Sequence, residues 1–224
     1  MQSPHKISDL KAYQKPQDSI FTTLITRRIS RVFSYLILKY DNNATPNQIS
    51  VLSFFMAFFA CVLFIYDNYW YRIMGVIFLQ LAFALDCSDG EIARYKNMSS
   101  KFGAWFDSVA DRFKEILMFS ALTYLAYIKT VENYILLIGA VALVLWLLVG
   151  YLREAKKASW PIERKAEIFV TKNIYIGTVD VTIFLVCLAI IFQLEFYALA
   201  LFLLAGMLLL SKQIISAWKL SKEN

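Results

Sequence analysis

The sequence is poor in the residues that most soluble enzymes and cross-linked domains rely on. It holds one histidine, His5, near the terminus, which removes histidine-based triads and histidine-ligated metals. Its three cysteines, Cys61, Cys87 and Cys187, are too few and too scattered for a disulfide or zinc framework. Only 18% of the 224 residues are charged, against about 25% in soluble chains. Seven glycines and four prolines exclude a collagen-like repeat. The first forty residues lack the apolar core of a cleavable signal peptide. What the chain does have is hydrophobicity: 59% of residues are apolar, above the roughly 45–50% of soluble proteins, which also excludes disorder. The class left is a polytopic membrane protein.

Residues 49–66 and 134–152 run 18 and 19 residues without a charge, enough to cross most of a hydrocarbon core of about 30 Å as helices. Shorter runs cover 181–194 and 196–211, and two segments, 73–85 and 116–128, are apolar at one end and charged at the other. Extended through their charged ends, these predict six spans, at roughly 47–66, 72–95, 103–128, 134–155, 174–194 and 196–217. With both termini cytoplasmic, the outer loops hold two of the 23 lysines and arginines, Arg72 and Lys129. That asymmetry is what the positive-inside rule requires. The net charge of +6 then reflects topology and anionic lipid, and no nucleic acid partner is implied.

Residues 18–40 differ from the spans. Apolar residues from Ile20 to Ile37 recur at helical spacing, interrupted by Arg27, Arg28, Arg31 and Lys39. The pattern predicts an amphipathic helix in the inner interface, its basic residues on lipid phosphates and its start capped by Asp18 and Ser19. Thr45-Pro46 opens span one as a helix N-terminus. The expected fold is therefore an all-α integral membrane protein of six transmembrane helices preceded by an interfacial amphipathic helix. It comprises an N-terminal segment 1–45, a membrane domain 46–217 and a tail 218–224.

The chemistry is concentrated in residues 86–111. Asp86 and Asp89 are three apart on the inner end of span two, and Asp107 and Asp111 are four apart on the inner end of span three. Both spacings put the pair on one helical face, and the connection 95–102 is short enough for the faces to meet. Four gathered carboxylates repel, so they either take up protons or hold cations. Hard oxygen ligands without a Cys or His cluster call for Mg²⁺, Mn²⁺ or Ca²⁺. Gly90, Ala93 and Gly103 keep the neighbouring surface small for a ligand, and Arg94, one turn from Gly90, suits an anionic phosphate. The competing structural reading is a charge network of these acids with Arg94, Arg112 and Lys114.

The residues Asp86, Asp89, Gly90, Ala93, Arg94, Gly103, Asp107 and Asp111 spell Asp-x2-Asp-Gly-x2-Ala-Arg-x8-Gly-x3-Asp-x3-Asp. That string resembles the signature of the CDP-alcohol phosphotransferases (CDP-alcohol phosphatidyltransferases), with every fixed position present. The Thr45-Pro46-Asn47 opening of span one is also similar to the family. The resemblance implies a homodimeric membrane enzyme of phospholipid biosynthesis. It would move a phosphoalcohol unit, phosphatidyl or an ether-lipid equivalent, from a CDP-alcohol to an acceptor hydroxyl and release CMP. It further implies two Mg²⁺ or Mn²⁺ ions on Asp86, Asp89, Asp107 and Asp111, with Asp111 also the general base. Asp89, Gly90, Ala93, Arg94 and Gly103 would line the cytidine diphosphate pocket.

The acceptor is less legible. Branches of the family that use a phosphorylated acceptor place basic residues after span four, where this chain has Arg153 and Arg164, so these two and Asn47 are the candidate acceptor-binding residues. Ala155 stands where an arginine of those branches is expected, which argues against a phosphorylated acceptor. The segment 15–19 with 27–30 resembles instead the branch that makes di-myo-inositol phosphates, and Gly177-Thr178-Val179-Asp180 loosely resembles a Gly-Arg-Asp of that branch. The alternative is therefore transfer from CDP-inositol to inositol phosphate. A non-enzymatic alternative is a cation-coupled transporter, against which stand the edge position of the acids and the lack of an internal repeat.

Overall fold

The computed structural model describes residues 6–15, 18–41, 43–66, 68–160, 169–171, 174–175 and 177–223. A 3₁₀ turn, Ile7–Tyr13, precedes strand β1 (Asp18–Ser19), a π-helical turn (Thr22–Thr26) and helix α1 (Arg27–Tyr40). Then come α2 (Pro46–Ile65), α3 (Tyr69–Tyr95), α4 (Lys101–Thr130) and α5 (Tyr134–Ser159). Two strands, β2 (Phe169–Thr171) and β3 (Ile174–Tyr175), lead into α6 (Thr178–Ile191) and α7 (Glu195–Glu223). The chain forms two compact units, residues 1–114 with 166–184 and residues 115–165 with 185–224.

The first unit is built on α2 and α3. Thr45 caps α2, its hydroxyl accepting from the Gln48 amide at 3.4 Å while the Gln48 side chain accepts from the Thr45 amide at 2.8 Å. This reciprocal cap, followed by Pro46, fixes where the helix starts. α2 and α3 approach closely at Gly75, where a Cβ would lie 2.5 Å from the Phe64 ring and 2.9 Å from the Ala60 carbonyl oxygen. Phe64 is fully buried and Ala60 is backbone, so neither yields easily. Gly75→Ala is expected to destabilise the protein by about 1–3 kcal/mol through overpacking, read as a lower melting temperature in detergent. Around the N-terminal end of α2 and the C-terminal end of α3, Leu10, Leu38, Ile49, Leu85 and Ile92 form a core that joins the N-terminal turn and α1 to α2 and α3.

A three-stranded sheet, not expected from the sequence, belongs to this unit. Its order is β1-β3-β2, with β1 parallel to β3 and β2 antiparallel to it. Pairing of Ile174–Tyr175 with Asp18–Ser19 delays the start of α6 to Thr178, four residues after the predicted span. Ser19 does cap the turn that follows it, accepting from the Thr22 amide at 3.4 Å. α1 differs from expectation in one respect. Arg28 and Lys39 are exposed, but Arg27 turns inward and is buried, paired with Asp18 at 2.6 Å and Glu91 at 3.1 Å. Burial works against its charge, but Asp18 and Glu91 are among the neighbours that offset this and raise its pKa above that of a free arginine. Arg27 is therefore an internal ion-pair partner and not a lipid-phosphate anchor.

In the second unit α5 packs against α7, with Phe119, Trp146 and Phe202 in mutual ring contact at its centre. Lys129 pairs with the buried Glu195 at 2.6 Å, and Lys156 donates to Gln213 at 2.7 Å.

Among the described residues, four helices are long and apolar enough to cross a membrane: Pro46–Ile65, Tyr69–Tyr95, Tyr134–Lys156 and Glu195–Lys222. Only 44% of the apolar stretch of the first two and 28% of the last two is buried inside the protein. The remaining apolar surface, with Leu52, Phe55, Leu137 and Leu208 exposed, suits lipid and makes this an integral membrane protein. α4 is long, but its first half carries Asp107, Asp111, Arg112 and Lys114; α6 is apolar but has only 14 residues.

Candidate active site

The turn between α3 and α4 sets the site. Asn97, at φ 55°, ends α3 in the left-handed region, with the Met98 amide donating to the Ala93 carbonyl at 2.8 Å and the Asn97 amide to Arg94 at 3.3 Å. This is a Schellman closure, with asparagine tolerated at the left-handed position. Ser100 then caps α4, accepting from the Gly103 amide at 3.0 Å. With so short a link, the C-terminal end of α3 and the N-terminal end of α4 face each other, and one oxygen each from Asp86, Asp89 and Asp107 comes within 4.8 Å of the others. Asp89 is buried; Asp86 and Asp107 are half-buried.

Asp111 lies outside that triplet. Its Oδ1 accepts from Lys114 Nζ at 3.3 Å, and the same ammonium pairs with Asp86. The competing charge network is thus present in part, as Lys114 with Asp86 and Asp111. Lys114 thus takes the place between two motif aspartates that the charge-network reading gives it. Ser50 and Ser53 of α2 were missed. Ser50 donates to Asp89 and Ser53 to Asp86 at 3.4 Å. The available signal was two serines three apart in an otherwise apolar helix, hence on one face. Three carboxylates converging with hydroxyl neighbours form a hard-oxygen donor set, which fits Mg²⁺ or Mn²⁺.

Around the triplet, Gly90 and Arg94 are stacked on α3: a Cβ on Gly90 would lie 3.3 Å from Arg94 Nη1. Arg94 Nε donates to the Tyr13 carbonyl, while Nη2 is buried without a hydrogen-bond partner among the described residues. Gly103 lies beside Asn47, whose Oδ1 would be 3.5 Å from an added Cβ. Asn47 is therefore next to a residue expected at the cytidine diphosphate pocket. Ala93 is half-buried on the same helix. Arg153 is half-buried on α5 in the second unit, and Arg164 lies outside the described residues. Asp180 is half-buried in the first turn of α6.

The sequence model of the CDP-alcohol phosphatidyltransferase family matches residues 43–218. The chain belongs to this family. That membership removes the transporter reading. Among curated relatives, the bifunctional IPC transferase and DIPP synthase of Aquifex aeolicus is 38% identical over 106 residues, 47% of this chain and 23% of the relative. The enzyme of the same description from Thermococcus kodakarensis is 28% identical over 191 residues, 85% of this chain and 42% of the relative. The chain thus spans less than half the length of these two. The crystal structure of Mycobacterium tuberculosis phosphatidylinositol phosphate synthase with CDP-DAG bound superposes with a TM-score of 0.68 at 16% identity. It covers 85% of this chain and 94% of that one, and so shares the fold.

Proposed function

We propose that this protein transfers a phosphoalcohol group from a CDP-alcohol to an acceptor hydroxyl and releases CMP. The observation that carries the reading is the convergence of Asp86, Asp89 and Asp107 within 4.8 Å, beside Gly90 and the half-satisfied Arg94. In this reading Asp86, Asp89, Asp107 and Asp111 hold two Mg²⁺ or Mn²⁺ ions. Bound divalent ions supply positive charge against the donor diphosphate and the departing CMP. Gly90, Ala93 and Gly103 leave room for the cytidine diphosphate alongside Asp89 and Asn47, and the open arm of Arg94 takes a diphosphate oxygen. The acceptor oxygen attacks the phosphorus bearing the alcohol, its proton passes to Asp111, and the bond from that phosphorus to the CMP oxygen breaks. Lys114, bonded to Asp111, holds that carboxylate in orientation.

In the membrane, α4 and α6 complete six spans, α1 lies along the inner interface, and the termini and the active site face the cytoplasm, as the distribution of Lys and Arg requires. The membrane domain 46–217 pairs with a second copy, between an N-terminal segment 1–45 and a tail 218–224. The donor is a CDP-lipid, diacylglycerol- or ether-linked, with Arg153 and Arg164 receiving the acceptor. A second reading, CDP-inositol with inositol phosphate, is favoured by the names of the two relatives and by the 15–19 segment. The test is CMP release by purified protein in Mg²⁺ or Mn²⁺, with each donor offered against serine, glycerol 3-phosphate, inositol and inositol phosphate. Metal-dependent CMP release with one pair is the expected result; silence across all pairs would sink the reading.

A further inference from the structure

The signature string lies on α3 and α4, but a third helix reaches the same residues. Asn47, Ser50 and Ser53 stand three apart at the start of α2, a spacing that sets them along one helical face. Each meets a position of the string. Asn47 lies beside Gly103, its Oδ1 3.5 Å from where a Cβ would stand. Ser50 donates to Asp89 Oδ2, and Ser53 Oγ comes within 3.4 Å of Asp86 Oδ1. Both serines are buried, so their hydroxyls find their partners inside the protein.

The two hydroxyls do different work. Each has one proton to donate and two acceptors in reach. Ser50 Oγ is 3.2 Å from the Pro46 carbonyl of its own helix and is also bonded to the Asp89 carboxylate. A charged acceptor makes the stronger bond, so the proton goes to Asp89. Ser53 Oγ is 3.0 Å from the Ala82 carbonyl, nearer than Asp86. Its proton goes to that carbonyl, fastening α2 to α3 one turn before Asp86. Asp86 has Lys114 besides, whereas among the described residues no other side chain bonds to Asp89.

We propose that Ser50 is a positioning residue for the cation site: its hydroxyl holds the Asp89 carboxylate in the orientation that brings one oxygen within 4.8 Å of those of Asp86 and Asp107. The inference rests on the transferase reading and adds to it a residue from outside the signature string. A carboxylate turns readily about its last bond, and a ligand that must be stilled on binding gives a weaker site. Hydrogen-bond partners of ligating carboxylates contribute roughly ten- to hundredfold in metal affinity.

The test reads metal binding without turnover, by calorimetry of purified protein in detergent with Mn²⁺ alone. Ser50→Ala is expected to weaken Mn²⁺ roughly ten- to hundredfold. Ser50→Cys, similar in size but a poor donor, should match Ser50→Ala, and Ser50→Thr should restore most of the affinity. Ser53→Ala should lower the melting temperature in EDTA with a smaller loss of Mn²⁺ affinity, because its proton serves the backbone. Wild-type Mn²⁺ affinity in both Ser50→Ala and Ser50→Cys overturns the proposal, whatever their melting temperatures. So does wild type that binds no Mn²⁺. CMP release by wild type together with unchanged Mn²⁺ affinity in Ser50→Ala would overturn this inference and leave the transferase reading standing. Mn²⁺ binding that depends on Ser50, without CMP release from any substrate pair, would do the reverse.

Discussion

Asp107→Asn is expected to lower CMP release roughly a thousandfold while raising the melting temperature in EDTA. The two effects have one origin. Asp107 contributes an oxygen to the 4.8 Å triplet, and among the described residues no hydrogen bond or ion pair compensates it. Without a cation it meets the charge of Asp86 across the gap, a repulsion that the neutral amide removes. With a cation, the amide is a weaker ligand, and losing several kcal/mol of charge stabilisation at about 1.4 kcal/mol per decade gives the stated loss in rate. Wild type should therefore gain melting temperature on adding Mn²⁺, and the variant should gain little. Asp86→Asn should behave differently, since Lys114 pairs with Asp86 as well as Asp111. Removing that partner leaves a half-buried ammonium with one of its two acids, so this variant loses activity and stability together. A variant at Asp107 that keeps full activity and full Mn²⁺ stabilisation would contradict the assignment.

What was legible in the sequence follows a physical division. Helix ends marked by local chemistry were found closely: span one, expected at 47–66, is Pro46–Ile65, because Thr45, Pro46 and Gln48 form its cap within four residues. The fourth span, expected at 134–155, is Tyr134–Ser159. The aspartates were also legible, because helical periodicity and a short link suffice to bring Asp86, Asp89 and Asp107 together. Features made by contacts distant in sequence were not. Ile174–Tyr175 reads as the start of an apolar helix until Asp18–Ser19, more than 150 residues earlier, pairs with it. α1 was read by its apolar stripe, yet its buried face is Arg27, Ser30, Ser34 and Leu38, while Val32 and Leu36 are exposed. Hydrophobic periodicity identifies a helix but assigns its faces only when the neighbour is apolar. Here the neighbour is Glu91, which sits in a variable position of the signature string and therefore attracted no notice.

Glu91 should be the most costly of these unforeseen residues to remove. It is fully buried. Its Oε1 accepts from Gln14 at 3.0 Å, Arg27 at 3.1 Å and Ser30 at 2.7 Å, and its Oε2 accepts from Ser34 at 2.7 Å. The Gln14 amide nitrogen and the Arg27 guanidinium can only donate, so the oxygen they share must accept, and the buried guanidinium favours an anion there. Glu91→Ala removes the acceptor from four donors at once and strands one side of a buried guanidinium, a change expected to cost about 3–5 kcal/mol. Glu91→Gln should cost less. The amide oxygen can serve the three-donor side, and Arg27 keeps Asp18 at 2.6 Å, but Arg27 loses one of its two anions and the Ser34 hydroxyl must turn to accept from the amide nitrogen. The expected order of melting temperature in detergent is therefore wild type, then Gln, then Ala, and the same order should hold for protection of the 13–19 segment against proteolysis. Because Glu91 lies two residues from Asp89 on α3, activity should fall with the loss of these hydrogen bonds even at temperatures where the variant stays folded. Glu91→Ala that melts like wild type and keeps the 13–19 segment protected would show that α1 is held by its apolar contacts alone.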